Sequence, residues 1–173
     1  MKIKDGRTIV IRRPKMSDAK QLTNYINSLV KEDAMIDINE KQTLKMETSW
    51  LKGVIKDVRK NKKHVLVAEC DDEIISVIEL RKGILRHSHV AGFAIAVKKN
   101  YRRLGVATIM MKNMMEIGKR DPTIKVMYLD VYADNKKAKK MYTKLGFKQT
   151  ARLKNRIQYK GKLGDQLIMD FEK

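Results

Sequence analysis

Apolar positions return at helical spacing in some stretches of this chain and gather into short β-branched runs in others. From Asp18 to Val30, Ala19, Leu22, Ile26, Leu29 and Val30 recur every three or four residues, as one buried helical face requires. From about Asn39 to Lys60, Leu44, Trp50, Leu51, Val54, Ile55 and Val58 form a second such stripe. Ahead of both, Thr8–Arg12 has strand composition, and Pro14 closes it before Ser17-Asp18, a helix-start pair. Val65–Glu69 and Ile74–Leu80 are strand-like runs separated by Asp71-Asp72-Glu73, which predicts a hairpin. His89–Val97 predicts a further strand; after Gly105, Ile109, Met110, Met114 and Ile117 resume helical spacing. Val126–Val131 reads as a strand, Asn135–Leu145 as a helix, and the tail as two strands around Lys160–Gly164. The order βααβββαβαββ predicts an α/β (α+β) fold: a mixed sheet with helices on both faces and a βαβ unit in its second half. Met110, Met111, Met114 and Met115 are read as core rather than as a functional surface.

Composition narrows the class of protein. With 173 residues, 43% of them hydrophobic, the chain is expected to be one globular domain spanning 1–173. Lys and Arg number 39 against 20 Asp and Glu, a formal net charge of +19. That charge favours polyanions, whether phosphorylated cofactor, nucleic acid or anionic membrane, without choosing among them. Aromatic residues make up 6%, too few to favour a base-stacking platform, and Lys136-Lys137 with Lys139-Lys140 read as a solvated helix face, so nucleic acid is the weaker reading. Cys70 is the sole cysteine, which excludes an intrachain disulfide and a cysteine-based zinc site. His64, His87 and His89 are too scattered to favour a ligand set, so no metal is expected. No secretory signal and no run of about 18 apolar residues is present, so a cytoplasmic protein with no membrane partner is expected.

The chemistry concentrates in Val97-Lys98-Lys99-Asn100-Tyr101-Arg102-Arg103-Leu104-Gly105-Val106-Ala107-Thr108, between a predicted strand and a predicted helix. Such a turn points backbone N–H groups and the helix dipole at one spot suited to an anion. Gly105 permits close backbone approach, Ala107 keeps the next turn uncrowded, and Arg102 and Arg103 add positive charge suited to a pyrophosphate. No Walker loop and no Gly-x-Gly-x-x-Gly accompanies it. Arg102, Gly105 and Ala107, with Val97 five positions before Arg102, resemble the acyl-CoA motif Arg/Gln-x-x-Gly-x-Gly/Ala of the GNAT superfamily of N-acetyltransferases. Asn135-x-x-Ala138-x-x-x-Tyr142-x-x-x-Gly146-Phe147 resembles a second element of the same superfamily. The resemblance extends weakly to both ends of the chain, nearest in pattern to the ribosomal-protein N-terminal acetyltransferases.

The resemblance implies a central, mostly antiparallel twisted sheet of about seven strands, acetyl-CoA as donor, and an amine-bearing small molecule or protein as acceptor. It implies a cofactor site built from Ala96, Val97, Arg102, Arg103, Leu104, Gly105, Val106, Ala107, Thr108, Asn135, Lys137, Ala138 and Tyr142. By the same resemblance the backbone N–H of Val97, at the end of a splayed strand, bonds the thioester carbonyl. Tyr142 is the general-acid candidate, since a phenol of pKa ~10 can return a proton to a thiolate of pKa ~8.5. The strand before the loop, Val90–Ala96, offers no carboxylate. Asp130, standing where the ribosomal-protein acetyltransferases carry a glutamate, is one base candidate; Glu79, His89 and Glu32 are others. Acidic residues of the first inter-helix loop, Glu32, Asp33 and Asp37, and the stretch Arg152–Tyr159 are candidate acceptor contacts. The missing carboxylate motivates an alternative, a CoA-binding regulatory module without transfer activity. Dimerisation through the final strands is common in the family, and a homodimer is entertained on that ground.

Overall fold

The computed structural model describes residues 1–173. Its elements follow the order β1 (Val10–Arg12), α1 (Ala19–Lys31), α2 (Leu44–Arg59), β2 (Lys63–Cys70), β3 (Glu73–Lys82), β4 (Val90–Val97), α3 (Val106–Arg120), β5 (Val126–Tyr132), α4 (Lys136–Lys144), β6 (Lys148–Tyr159) and β7 (Lys162–Glu172). The strands form one sheet in the order β1-β2-β3-β4-β5-β7-β6. β1 runs antiparallel to β2, β5 to β7 and β6 to β7, whereas β4 and β5 run parallel with α3 as the crossover. The expected mixed, mostly antiparallel sheet is therefore present, and so is the βαβ unit.

The widest boundary difference from the sequence reading falls at the second helix. The second helix starts at Leu44 rather than near Asn39, because the preceding segment is held out of helical conformation by Asn27. The Asn27 side chain donates to Gln42 O and accepts from Gln42 N, both at 2.8 Å. Thr43 then caps α2, its Oγ1 accepting from Met46 N at 3.2 Å. Leu51 and Val54 carry the buried face of α2, while Leu44 and Trp50 are exposed.

The chain divides into two compact units. The first comprises Met1–Leu80 and Ile95–Met114. Its core joins Leu22, Tyr25 and Leu29 of α1, Leu51 of α2, Val67 of β2 and Ile74 of β3. Arg12 ties β1 to its neighbours, bonding Asp18 at 2.7 Å ahead of α1 and pairing with Glu69 of β2. The second unit comprises Arg81–Ala94 and Met115–Lys173. Phe147 anchors it, edge-on to Phe93 at 5.8 Å and to Tyr142 at 6.1 Å and tilted against Phe171 at 5.6 Å. The four methionines of α3 named above are all buried, as the sequence pattern predicts.

Candidate active site

β4 sets the geometry. It pairs in parallel with β5 over Val90–Phe93 and then runs on to Val97. Lys98 N bonds Ile75 O of β3 at 2.9 Å, and the Ala96 carbonyl accepts from Ser76 Oγ of the same strand at 2.7 Å, so that carbonyl faces β3. The N–H of Val97, trans to that carbonyl in the same peptide, points away from β3.

A one-turn 3-10 segment, Lys99–Tyr101, leads from β4 into the loop. There Arg103 (φ 66°) and Gly105 (φ 91°) both adopt left-handed backbone before α3 begins at Val106. Gly105 is required by that φ, and a Cβ built there meets nothing within 4 Å, so the space beside Gly105 itself is open. Backbone N–H groups of the first helical turn have no intrahelical acceptor and point outward there. The loop therefore fits an anionic group. Arg102 also acts within the protein. Its Nε donates to Val97 O at 2.8 Å and its Nη atoms pair with Glu32, whose Oε2 lies 3.3 Å from Nη1. The sequence presents Arg102 as a source of charge for a pyrophosphate and Glu32 as a base or acceptor contact; the fold pairs them, pinning the end of β4.

In the second unit, Asn135 caps α4, its Oδ1 accepting from Ala138 N at 3.2 Å. Tyr142, one helical turn beyond Ala138, is buried, and burial with the Asp130 charge pushes its phenol up to about 12. Asp130 stands on the exposed face of β5 and accepts from the Gln166 side chain. Glu79 belongs to the first unit, where Lys63 Nζ lies 3.2 Å away in a largely buried pair. The fold thus places Asp130 beside Tyr142 electrostatically and Glu79 in a separate ion pair.

Two features lie outside the sequence reading. Glu47 of α2 is almost fully buried, and burial raises its carboxyl pKa. Its charge is felt by Tyr25 of α1. A signal for it exists, since Glu47 lies three, four and seven residues before Trp50, Leu51 and Val54, on an otherwise apolar stripe. The second is Tyr128. Its ring lies over Gly92, where a Cβ would come within 2.8 Å of it. An aromatic ring thus fills the space above the strand that lacks a carboxylate, which periodicity alone does not reveal.

The site thus combines a seven-stranded mixed sheet, a strand running past its parallel partner, and a glycine turn into a helix. The acetyltransferase (GNAT) family model matches residues 27–147, and the chain belongs to that family. An N-alpha-acetyltransferase of Sulfurisphaera tokodaii is 32% identical over 100 residues, 51% of this chain and 59% of the relative. A spermidine N(1)-acetyltransferase of Escherichia coli is 32% identical over 104 residues, 60% of this chain and 55% of the relative. The chain thus spans little more than half the length of these two relatives. A GNAT acetyltransferase from Streptococcus pneumoniae superposes with a TM-score of 0.87 at 19% identity, covering 96% of this chain and all of the other, which shows a shared fold.

Proposed function

We propose that the chain transfers an acetyl group from acetyl-CoA to a primary amine by direct attack of the amine on the thioester. The observation that carries this is the end of β4, which runs past its pairing with β5 and turns through a left-handed Gly105 into the N-terminus of α3. Acetyl-CoA, when bound, supplies an acyl group already activated as a thioester. Backbone N–H groups across Leu104, Gly105, Val106, Ala107 and Thr108, with the charge of Arg103, hold its pyrophosphate, and Arg102, paired with Glu32, contributes by fixing the end of β4. Ala96, Val97, Asn135, Lys137 and Ala138 receive the pantetheine arm, an assignment that rests on the two family motifs. By the family resemblance, the N–H of Val97 would donate to the thioester carbonyl and favour the charge that develops there.

Tyr142 is the general acid. Its raised pKa keeps the phenol protonated across the neutral range, at the cost of acid strength toward the departing thiolate. Asp130 is the preferred base, acting directly or through a water, because its charge is felt at Tyr142 and no cation pairs with it. Glu79 ranks below it, since proton transfer there competes with the Lys63 ion pair. A peptide α-amine, with a pKa of ~7.7 to 8.0, needs little help to lose its proton, whereas a lysine at ~10.4 needs much more. A weakly furnished base and the activity named for the Sulfurisphaera relative both favour an α-amine acceptor.

Calorimetric titration with acetyl-CoA and CoA, run beside a thiol-release assay over α-amine peptides, lysine and spermidine, tests the reading. Binding with release on one acceptor class supports it. Binding without release on any acceptor favours the regulatory-module alternative, and no binding at millimolar cofactor removes both.

A further inference from the structure

Apart from tyrosines and Cys70, four polar or charged side chains are buried, and three of them have partners within the fold. Asp18 bonds Arg12 and Lys15 N, Lys63 pairs with Glu79, and Ser76 donates to Ala96 O. Glu47 is the fourth. It is 9% exposed, its carboxylate accepts no hydrogen bond and meets no cation, and burial alone acts on its pKa. The Asn27–Gln42 bonds and the Thr43 cap fix the first turn of α2, which carries Glu47. One turn further on, Leu51 packs in one core with Tyr25, and Ala96 of β4 packs against that core. The Tyr25 hydroxyl donates to Ala96 O at 2.9 Å, and the charges that reach this hydroxyl are those of Arg102, Glu47 and Glu32. Arg102 and Glu32 neutralise each other, which leaves Glu47 as the uncompensated charge at this end of β4.

Nothing within the fold offsets this burial. A carboxylate taken out of water without a partner is destabilising, and the partial positive charge of a first helical turn compensates only a fraction. A glutamine of nearly the same shape would fill the position without the charge. A group kept at a cost to stability points to function, here to a cationic partner that arrives from outside. With Glu32 committed to Arg102, Glu47 belongs to no set of side chains able to hold a metal ion. A single ammonium group suits one desolvated carboxylate, and the acceptor of this reaction arrives as one. Two protons leave its nitrogen during transfer, one before attack and one after the C–N bond forms, whereas Asp130 accounts for a single proton.

We propose that Glu47 binds the acceptor ammonium and takes the first of these two protons, delivering a neutral amine to the end of β4. The proposal rests on the acetyltransferase reading given above. An N–H proton passes to the Glu47 carboxylate, and the lone pair left on nitrogen forms the C–N bond to the thioester carbon. The C–S bond breaks, and the thiolate takes its proton from Tyr142. The second nitrogen proton goes to Asp130, and Glu47 and Asp130 return theirs to solvent. With Tyr142 reprotonated from solvent, one proton is released per turnover. Burial suits Glu47 to this step, because a desolvated carboxylate holds a proton more readily than an exposed one.

The test compares Glu47→Gln with the parent protein at pH 7 and pH 9.5, each checked for a cooperative melt at both. A peptide α-amine is the acceptor, acetyl-CoA is saturating, and kcat/KM for the peptide is read by thiol release. An α-amine of pKa ~7.7 to 8.0 is about fivefold to tenfold more ammonium than amine at pH 7 and almost wholly amine at pH 9.5. The variant should therefore lose about fivefold to tenfold at pH 7 and match the parent within about twofold at pH 9.5. With lysine, of pKa ~10.4, the loss should be larger at pH 7 and persist at pH 9.5. Tyr25, whose phenol burial holds above this range, and the paired Glu32 and Arg102 add no limb between the two pH values. Calorimetric affinities for acetyl-CoA and CoA should stay within about twofold, since neither carries the ammonium. Glu47→Asp, which keeps the carboxylate, should recover part of the loss. A loss of equal size at both pH values is the mark of a merely structural role. That result, or a parent-like rate at pH 7 in the folded variant, overturns the proposal and leaves the acetyltransferase reading intact. If the parent neither binds the cofactor nor releases thiol, both fall together. Should Glu47→Gln fail to fold, Glu47→Asp decides by the same comparison of pH values.

Discussion

Tyr142 and Glu47 are both ionisable groups that burial pushes toward their neutral forms, with different consequences. For Tyr142, the phenol near 12 means that no limb of the pH–rate profile in the neutral range belongs to it. Tyr142→Phe should lower kcat by about a hundredfold, the scale of a lost general acid, without moving the remaining acid limb. A change within a few-fold would remove Tyr142 from the proton transfer. For Glu47, a raised pKa means that the folded state holds its proton more tightly than the unfolded chain does. Stability is then full below the ordinary carboxyl range and declines as pH rises through the raised value. Glu47→Gln should raise the melting temperature at pH 7 and lose that advantage on approach to pH 4, which a series of thermal melts would read. Neither environment is legible from the sequence in full. The motif reaches Tyr142, and the apolar stripe of α2 predicts that position 47 faces inward, but how far each side chain is desolvated depends on what other elements pack over it.

At the level of elements, the periodic segments are legible in the sequence and their ends are not. Ala19, Leu22 and Leu29 mark α1 because its partners in α2 and the sheet demand one continuous apolar face. The start of α2 escapes the sequence pattern because Asn27, far off in sequence, sequesters Gln42. Arg102 shows the same limit. Its place in the loop motif is readable, yet its bonds to Val97 O and Glu32 come from tertiary structure. Long-range polar ties of this kind also set stability, as Lys82 of β3 and Asp121 after α3 illustrate. Their ends lie 2.8 Å apart, both mostly buried. Burial works to raise the Asp121 carboxyl, but hydrogen bonds from Lys82, the Thr123 hydroxyl and the Thr123 amide outweigh it and hold the pKa well below the usual range. A depressed carboxyl stabilises the fold above its unfolded value of ~3.9 and loses that contribution as pH falls through the folded value. Asp121→Asn should therefore cost about 3 kcal/mol at pH 7, because Lys82 is left buried without its partner, and should flatten the acid limb of the stability profile. Urea titrations of both proteins at pH 7 and pH 2 would show the gap closing; a constant gap would mean that the pair contributes by packing alone.

The whole molecule carries a formal charge of +19, and that field acts on acceptors before any contact forms. The relatives include both an N-alpha-acetyltransferase and a spermidine acetyltransferase, acceptors that differ in how their own charge meets this field. A polycationic amine is repelled on approach, whereas a peptide with acidic residues behind its free N-terminus is drawn in. Salt separates the two, since the Debye length shrinks from about 30 Å at 0.01 M to about 8 Å at 0.15 M and long-range terms fade with it. For an acidic peptide, kcat/KM should fall as salt rises over that range; for spermidine it should climb from a lower starting value. Acetyl-CoA is held saturating throughout, so that weaker cofactor binding does not enter. A positive salt slope for spermidine with a negative one for acidic peptides would make the surface charge a filter against polyamines. Equal slopes would place acceptor choice in local contacts, with Glu32, Asp33 and Asp37 of the α1–α2 loop as the first residues to vary.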